Sequence, residues 1–166
     1  MDFLPYVSRL QSRPCADIDG IVIHCTELPD IATARSYGER IHYPESQTGN
    51  SGHFYIEQNG AVHQWAPTAR IAHHVRGFNG RSIGIELDNP GRFPRWFDSR
   101  RQQMKHPYTS RQMSSLLHLI AYLQNTLPGL RWITGHETLD RSTVAAEDDP
   151  AVQVRRKKDP GELFPW

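Results

Sequence analysis

Residues 18–24, IDGIVIH, decide how this chain folds. A short Ile/Val run that closes on a polar residue reads as a buried strand, too brief for a helix and too apolar for a loop. Working outward, residues 82–87 (SIGIEL) form a second such run, closed by the turn-forming Asn89-Pro90-Gly91. Between the two, residues 31–43 (IATARSYGERIHY) are moderately helical, weakened at Gly38. Residues 53–56 and 61–65 flank Asn59-Gly60, a strong hairpin signal. Beyond, residues 108–127 predict the clearest helix. Thr109 and Gln112 make a capping-box pair, Met113, Leu116, Leu117, Ile120 and Leu123 recur on one face, and Pro128-Gly129 stops it. Residues 132–134 form a further short strand, after which Gly135 presents His136. The expected architecture is α/β: a single domain over 1–166 with a central mixed β-sheet flanked by helices, mixed because one strand pair is a hairpin. Residues 1–17 read as an N-terminal extension, the arginine-rich residues 92–106 as an ordered loop or insertion, and residues 137–156 as a long loop without clear period.

Composition excludes several function classes. The chain has 166 residues with Lys+Arg 19 against Asp+Glu 18, a formal charge of +1, so no overall field holds nucleic acid or an anionic membrane. No stretch approaches the ~20 apolar residues of a membrane span, so no membrane insertion is expected. The N-terminal residues MDFLPYVSRLQSRP lack the apolar run of a signal peptide, and the expected location is cytoplasmic. Two cysteines, Cys15 and Cys25, cannot staple a disulfide scaffold. Nine histidines beside two cysteines imply that any metal here takes imidazole and carboxylate rather than thiolate ligands.

Three residues share a layout suited to such a site. His24 ends a strand run, His136 follows Thr134-Gly135, and Asp159 precedes Pro160-Gly161. Two imidazoles and one carboxylate leave a fourth zinc position for water, as catalytic sites do. By spacing alone the alternatives stay open: His24 as a packed strand end, His136 as an exposed loop residue, Asp159 as a turn residue.

The local wording adds to this. IVIHCT (21–26), SGHFYIEQNG (51–60), SIGIEL (82–87), TGH (134–136) and KKDPG (157–161) occur in this order. Together they resemble the zinc-dependent N-acetylmuramoyl-L-alanine amidases of the amidase-2 family, which share their fold with the peptidoglycan recognition proteins. Within the family, the compact architecture and the closing KKDPG most resemble the cytoplasmic amidases that recycle anhydro-muropeptides. The resemblance implies one Zn2+ per chain, held by His24, His136 and Asp159, with Glu86 as the catalytic glutamate and Lys157, rather than Lys158, as the lysine at the reacting carbonyl. It further implies a groove for a muropeptide, lined by His53 and His74. By their own chemistry Asn79 and Arg81, just before SIGIEL, suit peptide carbonyls and a carboxylate, with loop polar residues as the alternative reading. The expected enzyme acts as a monomer on the bond between the lactyl group of N-acetylmuramic acid and L-alanine.

Those residue types suit that reaction. Zinc makes water acidic enough to attack an amide at neutral pH. A glutamate can carry the proton from that water to the leaving nitrogen, and a lysine can donate to the developing oxyanion. Two other readings use the same sequence: a phage-type lytic amidase acting on polymeric wall, and a peptidoglycan-binding module without turnover. The link between His136 and Lys157 is longer than in the recycling enzymes, which bears on the rim of the groove. Cys25, adjacent to His24 on a strand, points to the opposite face and is not expected to ligate. Of the four tryptophans, Trp65 is the one placed to stack on a glycan. His73 is a weaker groove candidate, His118 reads as structural or surface, and His42, His63 and His106 as surface.

Overall fold

Strand alternation sorts this molecule into a greasy side and a chemical side. The computed structural model describes residues 3–166. Strand β1 (Gly20–Cys25) lies between β4 and β5 in a five-stranded sheet of order β3-β2-β4-β1-β5, with β2 (Phe54–Ile56), β3 (Val62–Gln64), β4 (Ser82–Leu87) and β5 (Trp132–Gly135). β1 runs parallel to β4 and β5, β2 runs parallel to β4, and only β2 and β3 pair antiparallel, so the sheet is mixed as expected.

On one face Ile21, Ile23, Ile83, Ile85, Phe54 and Ile56 pack against helix α2 (Ser110–Thr126), which contributes Leu116, Leu119 and Leu123. The Thr109–Gln112 capping box forms in full, and Gln112 extends further: its Nε2 donates to the carbonyls of Ile56 and Asp88, tying the helix start to the ends of β2 and β4. One helical expectation is corrected. Leu117 is 67% exposed and Leu119 takes its place in the core. Leu117 follows Leu116 by one residue, about 100° around the helix, and so leaves the stripe.

The opposite face carries a second cluster at the β2–β3 end, where Tyr55 stacks on Trp65 with ring centroids 3.5 Å apart, covered by Ala34 of helix α1 (Ile31–Gly38). Trp65 is therefore buried core, not an open platform for a sugar. Of the expected N-terminal extension, residues 1–2 lie outside the described residues. Leu4, Tyr6 and Leu10 are buried in this second cluster, so that part of the segment belongs to the body of the fold.

The long loop expected over 137–156 is also built differently. A helical turn, α3 (His136–Leu139), leads to a small antiparallel ladder of β6 (Thr143–Ala145) and β7 (Gln153–Arg155). Its weak periodicity reflects strands of three residues with only Val154 and Ala146 buried. The arginine-rich residues 92–106 form an ordered loop, with Asp98 accepting from the backbone N–H of Arg100 at a 3-10 turn over Ser99–Arg101.

Candidate active site

Register assembles one half of the site. Tyr55 pairs with Glu86 across β2–β4, and Glu86 pairs with His24 across β4–β1, placing these side chains in one row on the face away from α2. β5 ends at Gly135, paired with Ile23, so His136 emerges beside His24; their ring centroids are 4.6 Å apart. Asp159 arrives from the C-terminal segment. Its Oδ2 accepts from His24 Nδ1 at 2.9 Å and from His136 Nδ1 at 3.0 Å. Asp159 Oδ1 and His136 Nε2 are buried with no hydrogen-bond partner among the described residues.

This donor set fits a metal ion. One ligand atom from each of His24, His136 and Asp159 lies within 4.8 Å of the others, and all three residues are buried. Burial lowers the His24 imidazole to about 4, against the pull of the Asp159 hydrogen bond, so at neutral pH the ring is in the uncharged form that ligates. Burial alone pushes the Asp159 carboxyl up, but His136 and the hydrogen bonds from both imidazoles outweigh it and hold Asp159 ionised. The far nitrogen of a ligating imidazole ordinarily meets a fixed partner. His74 Nδ1 fills that place, 3.0 Å from His24 Nε2. Room for it comes from Gly84: a Cβ there would fall 2.6 Å from His74 Cγ.

Beside this trio Glu86 Oε1 stands 3.9 Å from His24 Nδ1. Burial first, then the nearby Asp159 charge, push the Glu86 carboxyl well above its ordinary value, while Lys157 draws it back. A carboxyl in such surroundings holds its proton more tightly than a solvated one. The Lys157 side chain lines the same cleft of about 600 Å³ and has no hydrogen-bond or ion-pair partner among the described residues. Its neighbour points elsewhere, because Lys158 Nζ donates to Gln102 O at 2.8 Å.

The pattern of the whole chain agrees with this geometry. The sequence profile of the N-acetylmuramoyl-L-alanine amidases of the amidase-2 class matches residues 14–162. The chain belongs to the N-acetylmuramoyl-L-alanine amidase family. Among solved structures it is similar to an N-acetylmuramoyl-L-alanine amidase endolysin from Clostridium intestinale, 25% identical, with a TM-score of 0.62 over 93% of this chain and 84% of that one. It shares its fold with AmpD, 22% identical, with a TM-score of 0.67 over 99% of this chain and 88% of that one. The fold also matches AmiD from E. coli, 22% identical, with a TM-score of 0.66 over 90% of this chain and 55% of that one. No curated protein sequence matches the chain.

The remaining expected amidase residues are placed unevenly. His74 and Asn79 line the cleft, but Asn79 Oδ1 is occupied, accepting from the backbone N–H groups of His74 and Val75. His53 is corrected: it is fully buried behind His74, its Nδ1 accepting from the Gly84 N–H and its Nε2 meeting Arg13 and Arg70 O. It stands behind the wall of the cleft and does not line it. Arg81 is corrected too, since it sits at the far end of β4 and pairs with Asp19. Spacing had no means to separate a histidine facing the groove from one behind it. The rim holds the weaker groove candidate His73 together with Tyr43 and His42, which no motif singled out. His73 lies against Tyr43 with ring centroids 4.7 Å apart, and both line the cleft with His42.

Proposed function

We propose that this amidase uses one zinc ion to hydrolyse the amide between the lactyl group of N-acetylmuramic acid, in its 1,6-anhydro form, and the first L-alanine of a soluble muropeptide, as a cytoplasmic, monomeric recycling enzyme. The observation that carries the reading is the meeting of His24, His136 and Asp159 in one buried cluster with Glu86 at its side. His24, His136 and Asp159 would hold the metal, which when bound acidifies water and polarises the scissile carbonyl.

This chain's own residues supply the rest. Glu86 takes a proton from the attacking water and passes it to the alanine nitrogen as that nitrogen leaves. Lys157 donates to the carbonyl oxygen as the carbon becomes tetrahedral. His74 keeps the His24 ring in one orientation, and Tyr43 and His73 form part of the cleft rim. A module that only binds peptidoglycan needs neither the buried carboxyl nor the unpaired ammonium. The E. coli AmiD structure carries anhydro-N-acetylmuramic acid-L-Ala-D-gamma-Glu-L-Lys, and the shared fold supports a ligand of that class here. The second reading, lysis of polymeric wall, is favoured by the likeness to the Clostridium intestinale endolysin.

Mass spectrometry of products from soluble anhydro-muropeptide and from insoluble sacculi, with and without chelator, separates these readings. Free stem peptide from the soluble substrate, abolished by chelator, is expected. Release from sacculi alone would favour the lytic enzyme, and release from neither would leave the binding module.

A further inference from the structure

Lys157 sits on irregular chain, yet its neighbours are pinned from one point, the guanidinium of Arg92. That residue is 3% exposed in the arginine-rich segment. Its Nε and Nη2 donate to the two carboxylate oxygens of Glu27 at 2.7 and 3.0 Å, a bidentate pair. Its Nη1 donates to Arg155 O at 2.9 Å and to Gln102 Oε1 at 3.1 Å, and Nη2 reaches Arg156 O at 3.3 Å. The two carbonyls just before Lys157 are therefore held by one rigid fork. On the other side Lys158 is fixed to Gln102 O. Lys158 is thereby held away from the cleft, and Lys157 is the one of the pair that lines it.

Glu27 is itself held fast. It follows β1 with φ 48, a left-handed conformation that a glutamate keeps only when its surroundings demand it. Its carbonyl accepts from Trp96 Nε1 at 3.0 Å, and its Cγ lies where a Cβ on Gly91 would come within 2.7 Å. Glu27 thus follows closely on β1, the strand that carries His24, and Arg92 transmits that anchor to the chain carrying Lys157.

We infer that Arg92, clamped by Glu27, is a positioning residue for the reaction: it sets the place of the Lys157 ammonium relative to the metal-ligating row. This rests on the reading of Lys157 as the oxyanion donor. A lysine at position 92 keeps a charge for Glu27, but its single nitrogen cannot pair both carboxylate oxygens and hold both carbonyls at once.

The test is a double-mutant cycle on the zinc-loaded enzyme with soluble anhydro-muropeptide, joined to hydrogen exchange of residues 155–158 in the metal-free protein. Arg92→Lys is expected to lower kcat by about 100-fold, the size of a misplaced group, with KM and metal content unchanged and exchange at 155–158 faster. Lys157→Ala is expected to lower kcat by about 100- to 1,000-fold. Adding Arg92→Lys to Lys157→Ala should then cost nothing more. If the two losses multiply, or if Arg92→Lys sheds the metal or leaves exchange at 155–158 unchanged, Arg92 does not act through Lys157. Undiminished kcat in Lys157→Ala would remove the oxyanion role and the inference with it. Should Arg92→Lys fail to fold, Glu27→Gln, which keeps shape and one acceptor, carries the same cycle with the same outcomes.

Discussion

Half of this active site is held by strands and half by loops. His24 and Glu86 are paired residues of adjacent strands, so the sheet ladder itself fixes their separation. Asp159 and Lys157 come from chain with no ladder, placed by individual side-chain hydrogen bonds: two imidazoles on Asp159, and the Arg92 fork on the carbonyls before Lys157. The strand-held half is stiff because the core behind it is stiff. The loop-held half can be disturbed by removing one side chain far from the reaction.

The sharpest way to break the comparison is to remove the one residue that joins the halves. Asp159→Ala should empty the site of zinc and abolish hydrolysis, read by elemental analysis of the dialysed protein; near-stoichiometric metal would remove Asp159 as a ligand. Glu86→Gln should keep the metal and lower turnover by about 100- to 10,000-fold, so ordinary kcat in that variant would falsify the proton-carrying role.

Behind the strand-held half, Leu123→Ala opens the core where α2 meets β1 and β4 and should cost about 2–5 kcal/mol in urea unfolding, while Leu117→Ala, on the outer face, should stay within about 0.5 kcal/mol. Equal costs would contradict the way the helix faces the sheet.

A smaller and broader effect follows from buried histidines. Burial, opposed by Asp159, lowers His24 to about 4, and burial, helped by the Arg13 charge, lowers His53 to about 3. Both stay neutral in the folded state while an unfolded chain takes up protons below about 6.5. Metal-free protein should therefore lose stability as pH falls from about 6.5 towards 4, with no such loss between 6.5 and 8. A urea midpoint that is flat from pH 6.5 to 4 would show that these rings are not shielded as described.

The two halves also differ in how much of them could be read from sequence. The Ile/Val runs ending in His24 and holding Glu86, the Asn59-Gly60 hairpin and the Thr109–Gln112 cap are local patterns with local causes, and each took its expected form. The sequence did not separate His53 from His74, because facing a groove or standing behind it depends on Gly84 making room for one ring over the other. Arg92 stood within a stretch read only as an ordered loop or insertion, since its partners Glu27, Arg155 and Arg156 are brought to it only by the fold. Trp65 read as a platform and is core, because Tyr55 on the adjacent strand offers it a ring to stack on.

The β6–β7 ladder carries a consequence for how members of this family diverge. Its strands begin and end near the fixed residues His136 and Lys157, with Arg156 Nε bonded to Ser142 Oγ and the backbone N–H of Arg156 to Ser142 O across the base. Closing the base this way isolates the tip, and lengthening a closed surface loop costs little. The number of residues between the second histidine and the lysine is then an adjustable spacer. Two chains can differ widely there and still set the same catalytic row against the same bond.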